Sequence, residues 1–188
     1  MPTVNDANGT PQKVNDSGFA LAVCASMGFS AHAADEGQAY SVIVAADPNG
    51  TDQDFFYLKN NDDKPLRIYK IEGYTASTTA DQIVSVKLGV TGTPTSGTAI
   101  TPVNAVCGSG NVADVTCEYR DEDLALTGGN TYCNLYLDKD TTSRQVTYDF
   151  PAEIVLMKNQ ALVFNNDTDP VGTDINLTVY FYFHENIG

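Results

Sequence analysis

The sequence has no tryptophan, only two histidines, and 10 lysines plus arginines against 24 aspartates plus glutamates. Each shortage removes a class of function. The basic residues are scattered from Lys13 to Lys158 without forming a run. A chain that neutralises phosphates needs clustered Arg and Lys, so no direct nucleic-acid contact is expected, and no docking on an anionic membrane. No stretch reaches the roughly 18 apolar residues of a membrane span. Of the two histidines, His184 is on the polar face of the last strand and reads as a surface residue, while His32 follows Ser30 in a loop before Asp35 and Glu36, where pairing with a carboxylate is the alternative to a surface role. Gly108-Ser109-Gly110 is too short for the Gly-x-Ser-x-Gly elbow and lacks its following helix. The four cysteines, Cys24, Cys107, Cys117 and Cys133, form no CxxC pair and have no neighbouring His, which argues against zinc. Cys117 and Cys133 fall on the apolar side of alternating segments, where a free thiol behaves as a small buried hydrophobe.

A chain of 188 residues with 42% hydrophobic content fits one domain, with or without a tail. It can bury roughly 70% of its unfolded surface without disulfides or metal. The ten Tyr and eight Phe, among many Val and Thr, favour strands. Residues 1–17 are polar, with two prolines, and read as an extended N-terminal arm. From Gly18 onward, short β-prone runs alternate with turn clusters such as Asp47-Pro48-Asn49-Gly50 and Gly128-Gly129-Asn130, whose residues adopt turn dihedrals at low cost. Gly18 to Ala33 has the look of a secretory h-region, but Ser26, Gly28 and Ser30 interrupt it and Lys13 is the only base before it. It is read as part of the folded chain.

Alternation is clearest at the end, where Ile175, Leu177, Val179, Phe181 and Phe183 oppose Asn176, Thr178, Tyr180, Tyr182 and His184. Segments 82–90, 112–119, 132–138 and 145–150 alternate in the same way, with one core face and one wet face, as in antiparallel sheets. Leu21 to Ala25, Tyr40 to Ala46, Phe55 to Leu58 and Ile154 to Met157 are apolar on both faces and are expected to be central strands or covered by a neighbour. No segment shows a 3.6-residue period. About ten short strands predict an all-β, antiparallel β-sandwich over 18–188, jelly-roll-like, with 1–17 as its arm. The arm and the two-face-apolar strands are the expected contact surfaces. Pro2, Thr3, Val4, Pro11 and Val14 are the arm residues assigned to an interface.

The acidic clusters Asp121-Glu122-Asp123 and Asp167-x-Asp169 supply oxygens that could ligate calcium, but neither has EF-hand spacing. With so many acids, some carboxylate pair will stand at glycosidase distance by chance. Tyr132, Tyr136, Tyr180 and Tyr182 lie on wet faces, where they can stack on sugars or pair across strands. No catalytic residue, cofactor or metal is assigned.

Five segments in order carry a resemblance: Ser30–Tyr40 (SAHAADEGQAY), Asp54–Asn60 (DFFYLKN), Leu66–Ile71 (LRIYKI), Gly97–Asn104 (GTAITPVN) and Ile154–Leu162 (IVLMKNQAL). Together they resemble the capsid decoration, or cement, proteins of tailed bacteriophages. The Thr-x-x-Thr-Pro-Val-Asn element is the most specific of them. The resemblance spans roughly residues 18–185. It implies a non-enzymatic β-sandwich on the outer surface of the phage head, bound to the major capsid protein and to copies of itself as a homotrimer. The alternative is a carbohydrate- or receptor-binding sandwich, such as a head fibre or adhesin-like module. A β-sandwich hydrolase is the third reading.

Overall fold

The computed structural model describes residues 4–5, 11–12, 37–76, 80–139, 145–168 and 175–184. These residues form thirteen strands and no α-helix: β1 (Val4–Asn5), β2 (Pro11–Gln12), β3 (Ala39–Ala46), β4 (Gln53–Asn60), β5 (Leu66–Thr75), β6 (Gln82–Thr91), β7 (Thr98–Ala99), β8 (Val103–Asn104), β9 (Val115–Tyr119), β10 (Thr127–Leu137), β11 (Val146–Leu156), β12 (Ala161–Asn166) and β13 (Ile175–Phe183). Two antiparallel sheets pack as a sandwich. One has the order β10-β6-β12-β4-β9-β7 and the other β11-β5-β13-β3-β8. With β7, β8 and β9 set aside, every connection from β3 to β13 crosses between the sheets except β6 to β10, which are neighbours in one sheet.

Period-2 patterning places the core as the sequence predicts. Ile175, Leu177, Val179 and Phe181 of β13 face inward against Val42 and Val44 of β3, Phe56 and Leu58 of β4, and Phe164 of β12. The Phe56 and Phe164 rings stack with centroids 5.0 Å apart. Such offset stacks add a little beyond the area they bury.

The two-face-apolar segments divide. Phe55–Leu58 is buried on both faces in β4, as expected of a central strand. In β3, Ile43 is 66% exposed and lies near the sheet edge, so the described chain itself does not cover both faces. The same holds for β11, an edge strand on which Val155, and Met157 beside it, are exposed. The fully buried strand missed by patterning is β12 (ALVFNN). Its outer face is covered because Leu124, from the loop before β10, packs on Tyr57, Ala161 and Val163 as a satellite cluster. Leu21 to Ala25 lies outside the described residues.

Asn60 holds the two sheets in register at one end. It is fully buried, and its Nδ2 donates to the carbonyls of Lys64 and Leu156 at 2.9 Å each. Its Oδ1 accepts from the Asp62 amide. A buried side chain that satisfies three backbone groups replaces the ladder bonds those groups lose at the turn.

Candidate functional site

β7, β8 and β9 lie between β6 and β10 in sequence and widen both sheets at the same edge. β9 and β7 extend one sheet beyond β4, and β8 extends the other beyond β3. Between Lys87 and Asp114 no charged residue or histidine occurs, in a chain of net charge −14. This segment contains the Thr-Pro-Val-Asn element, which forms β8 and the two irregular residues leading into it.

Asn104 fixes the loop that follows. Its Nδ2 donates to the Gly37 carbonyl at 2.8 Å and to the Asn111 carbonyl at 3.2 Å. Its Oδ1 accepts from the Val106 amide at 2.8 Å. Ser109 Oγ accepts from the Asn111 amide, and Asn111 Nδ2 also reaches the Gly37 carbonyl. Gly37 has φ +67°, and a Cβ there would sit 2.9 Å from Ser109 Oγ. Both features call for glycine. Asn104 and Asn111 therefore tether the insertion to the start of β3, and Ser109 braces them from within the loop. The pinned loop displays Val103 at 67% exposure, Val112 at 76% and Val106 at 36%, together with the free, exposed thiol of Cys107.

The tyrosines read from the sequence fall into two groups. A bulge in the pairing of β5 with β13, between Tyr180 and Phe181, places Tyr69 beside Tyr180 and Tyr182, with centroids 6.2 and 6.1 Å away. Tyr182 is fully buried, not exposed as its position on the wet face suggested, and Tyr180 is half-buried. Their hydroxyls donate to Glu153 Oε1 at 2.6 Å and Glu72 Oε2 at 2.7 Å. Lys70 Nζ bonds Glu72 at 2.9 Å and lies 4.2 Å from the Tyr180 ring centroid. The lysine and then the Tyr180 hydroxyl hold the Glu72 carboxyl below its ordinary range. Burial, followed by the Glu153 bond, pushes the Tyr182 phenol up. This face is occupied by internal pairs. Tyr132 and Tyr136 on β10 are exposed at 47% and 62%, and Tyr132 leans on Phe150 with centroids 6.1 Å apart.

The acidic clusters serve the fold. Asp121 Oδ1 accepts from the Asp47 amide and Asp123 Oδ1 from the Asp54 amide, while Glu122 pairs with Arg120. Asp167 accepts from Ser85; Asp169 lies outside the described residues. Lys87 stands 3.3 Å from Asp54 and 3.6 Å from Asp52, and Asn165 Nδ2 donates to both carboxylates. Among the described residues no three His, Cys, Asp or Glu side chains could hold a metal ion, and no helix is long and apolar enough to cross a membrane. His184 lies half-exposed with its ring 6.4 Å from Tyr182. Cys117 is buried and Cys133 half-buried, and both are free. Burial pushes the Cys117 thiol up to about 12.

Of the arm residues assigned to an interface, Val4 and Pro11 lie in β1 and β2. These strands pair with each other in the register Val4↔Gln12 and Asn5↔Pro11. Pro2, Thr3 and Val14, like His32 and Cys24, lie outside the described residues. The uncharged, valine-bearing edge was missed by sequence reading. Its signal was present as the long interval without charge between Lys87 and Asp114. No family model, curated protein or solved structure matches the chain.

Proposed function

We propose that this chain is a virion structural protein, a capsid decoration protein that binds the outer surface of a phage head and stabilises the lattice of the major capsid protein. The observation that carries the reading is the uncharged edge built on the Thr101-Pro102-Val103-Asn104 element. The most specific part of the resemblance is the part that displays Val103 on a loop pinned by Asn104. A preorganised apolar loop loses little conformational freedom on docking, and that saving counts in affinity. The order in which the chain crosses between the sheets supports reading the sandwich as a jelly roll.

In this reading the protein works by contact, without catalysis, cofactor or direct nucleic-acid binding, and its copies assemble as a homotrimer on the shell. The net charge of −14 suits a location outside the shell, away from DNA. The test is co-sedimentation of the purified chain with expanded phage shells that lack it. Saturable binding and a higher shell disruption temperature are expected; no binding sinks the proposal.

The exposure of Tyr132 and Tyr136 on β10 favours one second reading, a carbohydrate- or receptor-binding module that stacks sugars on those rings. A glycan array on which the wild type binds and Tyr136→Ala does not would establish it; silence would remove it.

A further inference from the structure

The outer edge of β3 is closed at both ends and open in the middle. The Gln38 carbonyl accepts from the Phe183 amide in the same register as the β3–β13 ladder, so the even-numbered residues of β3 bond β13 and the odd-numbered ones direct their N–H and C=O groups to the other side. At one end the Ala39 carbonyl accepts from the Ala105 amide at 2.8 Å, and Ser41 lies opposite Val103. Past the other end of β3, the Asp47 amide is taken by Asp121 Oδ1 at 2.8 Å. Between these closures, Ile43 and Ala45 present two N–H and two C=O groups to an edge with which no described strand pairs. Ile43 is 66% exposed and Ala45 is exposed as well. This stretch has none of the usual protections of an edge: no charge, no proline, no bulge. At about 3.4 Å per residue, the interval from Ser41 to Asp47 is about 20 Å long, room for a strand of about four residues.

The two ends of the gap differ in chemistry. Val103 stands exposed at the Ser41 end. At the Asp47 end Asp121 is exposed, with its carboxylate on the Asp47 amide, so this end of the gap is negative.

We propose that this gap receives a short extended segment of another protein by strand addition. The segment is apolar where it meets Ile43 and Val103 and carries a lysine or arginine at the end beside Asp47 and Asp121. A second copy of the chain fits less well. Antiparallel pairing of two such gaps would place each copy's β8 in the lane of the other's Asp47-Pro48. Under the function proposed above, the segment belongs to the capsid shell; the gap itself can be tested without one.

The probe is a labelled peptide, acetyl-Lys-Val-Thr-Val-Thr-amide, titrated into the full chain, with amide exchange of Ile43 and Ala45 followed by NMR. Both amides exchange fast in the free chain and become protected at saturating peptide. Replacing the peptide's Lys by Glu weakens binding about tenfold, because like charge replaces the partner of Asp47 and Asp121. Backbone N-methylation of the peptide abolishes binding, and so does Ala45→Pro, which removes an edge N–H while sparing the ladder to β13. Binding that survives N-methylation, or absence of protection at millimolar peptide, overturns the proposal. Slow exchange of the two amides in the free chain also overturns it, whether at all concentrations (the chain's own residues fill the gap) or only at high concentration (a second copy does). Peptide protection without shell binding would leave this inference standing and sink the capsid reading.

Discussion

Asn60 and Leu156, 96 residues apart in sequence, are joined by a hydrogen bond of 2.9 Å from the asparagine side chain to the leucine carbonyl, linking β4 of one sheet to β11 of the other. The same amide group bonds the Lys64 carbonyl, and the side-chain oxygen takes the Asp62 amide. Asn60→Ala deprives three backbone groups of their partner at a fully buried position. Each orphaned group costs on the order of 1 kcal/mol or more, so a loss of about 2–4 kcal/mol is expected. Urea unfolding measures it, and a midpoint unchanged from wild type would contradict the assignment. Asn60→Asp keeps the acceptor and loses both donated bonds, so it should not restore the wild-type midpoint.

The Glu72 cluster makes stability depend on pH in a definite direction. Hydrogen bonds from Lys70 and Tyr180 lower the carboxyl's pKa below its reference value of 4.5. Stability from a group depressed on folding is fully present above the unfolded value and is lost as pH falls through the folded one. Lys70 is raised from 10.5 chiefly by the same bond, and its share is lost as pH rises through its own folded value. The stability gap between wild type and Glu72→Gln is therefore widest between those two reference values and narrows on acidification below 4.5. Thermal unfolding of both proteins across the acid range tests it; a gap that widens toward acid would reverse the sign.

Strand existence and the core face were legible in the sequence because one-sided burial writes itself as a period of two. In β13, every residue assigned inward from Ile175 to Phe183 is buried. Patterning failed where burial depends on what lies outside a sheet. Tyr182 occupies the wet face yet is fully buried, because a bulge brings Tyr69 against it and Ala39 packs beside it. β12 ends in two asparagines, both buried. Asn165 is satisfied on one side by Asp52 and Asp54, and Asn166 by the Gly50 carbonyl. An apolar Ile43 predicts a central strand or one covered by a neighbour, and no local signal shows that β8 covers only two residues of β3. The candidate edge is of the same kind: its residues are visible as a motif, but the meeting of Gly37, Asn104 and Asn111 is a long-range contact.

The thiols should react in a fixed order. Cys107 is exposed on the pinned loop, Cys133 is half-buried and Cys117 is buried, with its thiol pushed up to about 12. The thiolate is the reactive form, so Cys117 is protected both by access and by protonation. Titration with a disulfide reagent near pH 8, followed by peptide mapping, should find Cys107 modified rapidly and Cys117 only after denaturant is added. Rapid labelling of Cys117 in the native chain would contradict its burial.

Lys87 lies between Asp52 and Asp54, and the Asp54 side chain is only 10% exposed. Lys87→Met leaves the Asp54 carboxylate with the Asn165 amide as its remaining side-chain donor. Removing one partner from a largely desolvated pair is costly even where the pair itself adds little, so a loss of about 1–3 kcal/mol is expected. In the double variant Lys87→Met with Asp54→Asn, most of that loss should return, since no uncompensated charge remains. Equal destabilisation in the single and double variants would show that lysine packing, not charge, is what matters.

Asn104 separates folding from binding. Its amide donates to Gly37 and Asn111, but the loop it holds buries little apolar area, with Val103, Val106 and Val112 all exposed. Asn104→Ala should cost on the order of 1 kcal/mol in global stability, the usual range for a partly exposed hydrogen-bonding side chain. Its effect on shell binding should be larger, because the freed loop must be ordered again at the moment of contact. Asn104→Asp keeps the bond to the Val106 amide, replaces two donated bonds by repulsion from the Gly37 and Asn111 carbonyls, and adds charge to an uncharged edge. The expected ranking in co-sedimentation with expanded shells is wild type, then Asn104→Ala, then Asn104→Asp, with near-native unfolding midpoints throughout. Binding by Asn104→Asp equal to wild type would show that this edge does not face the shell.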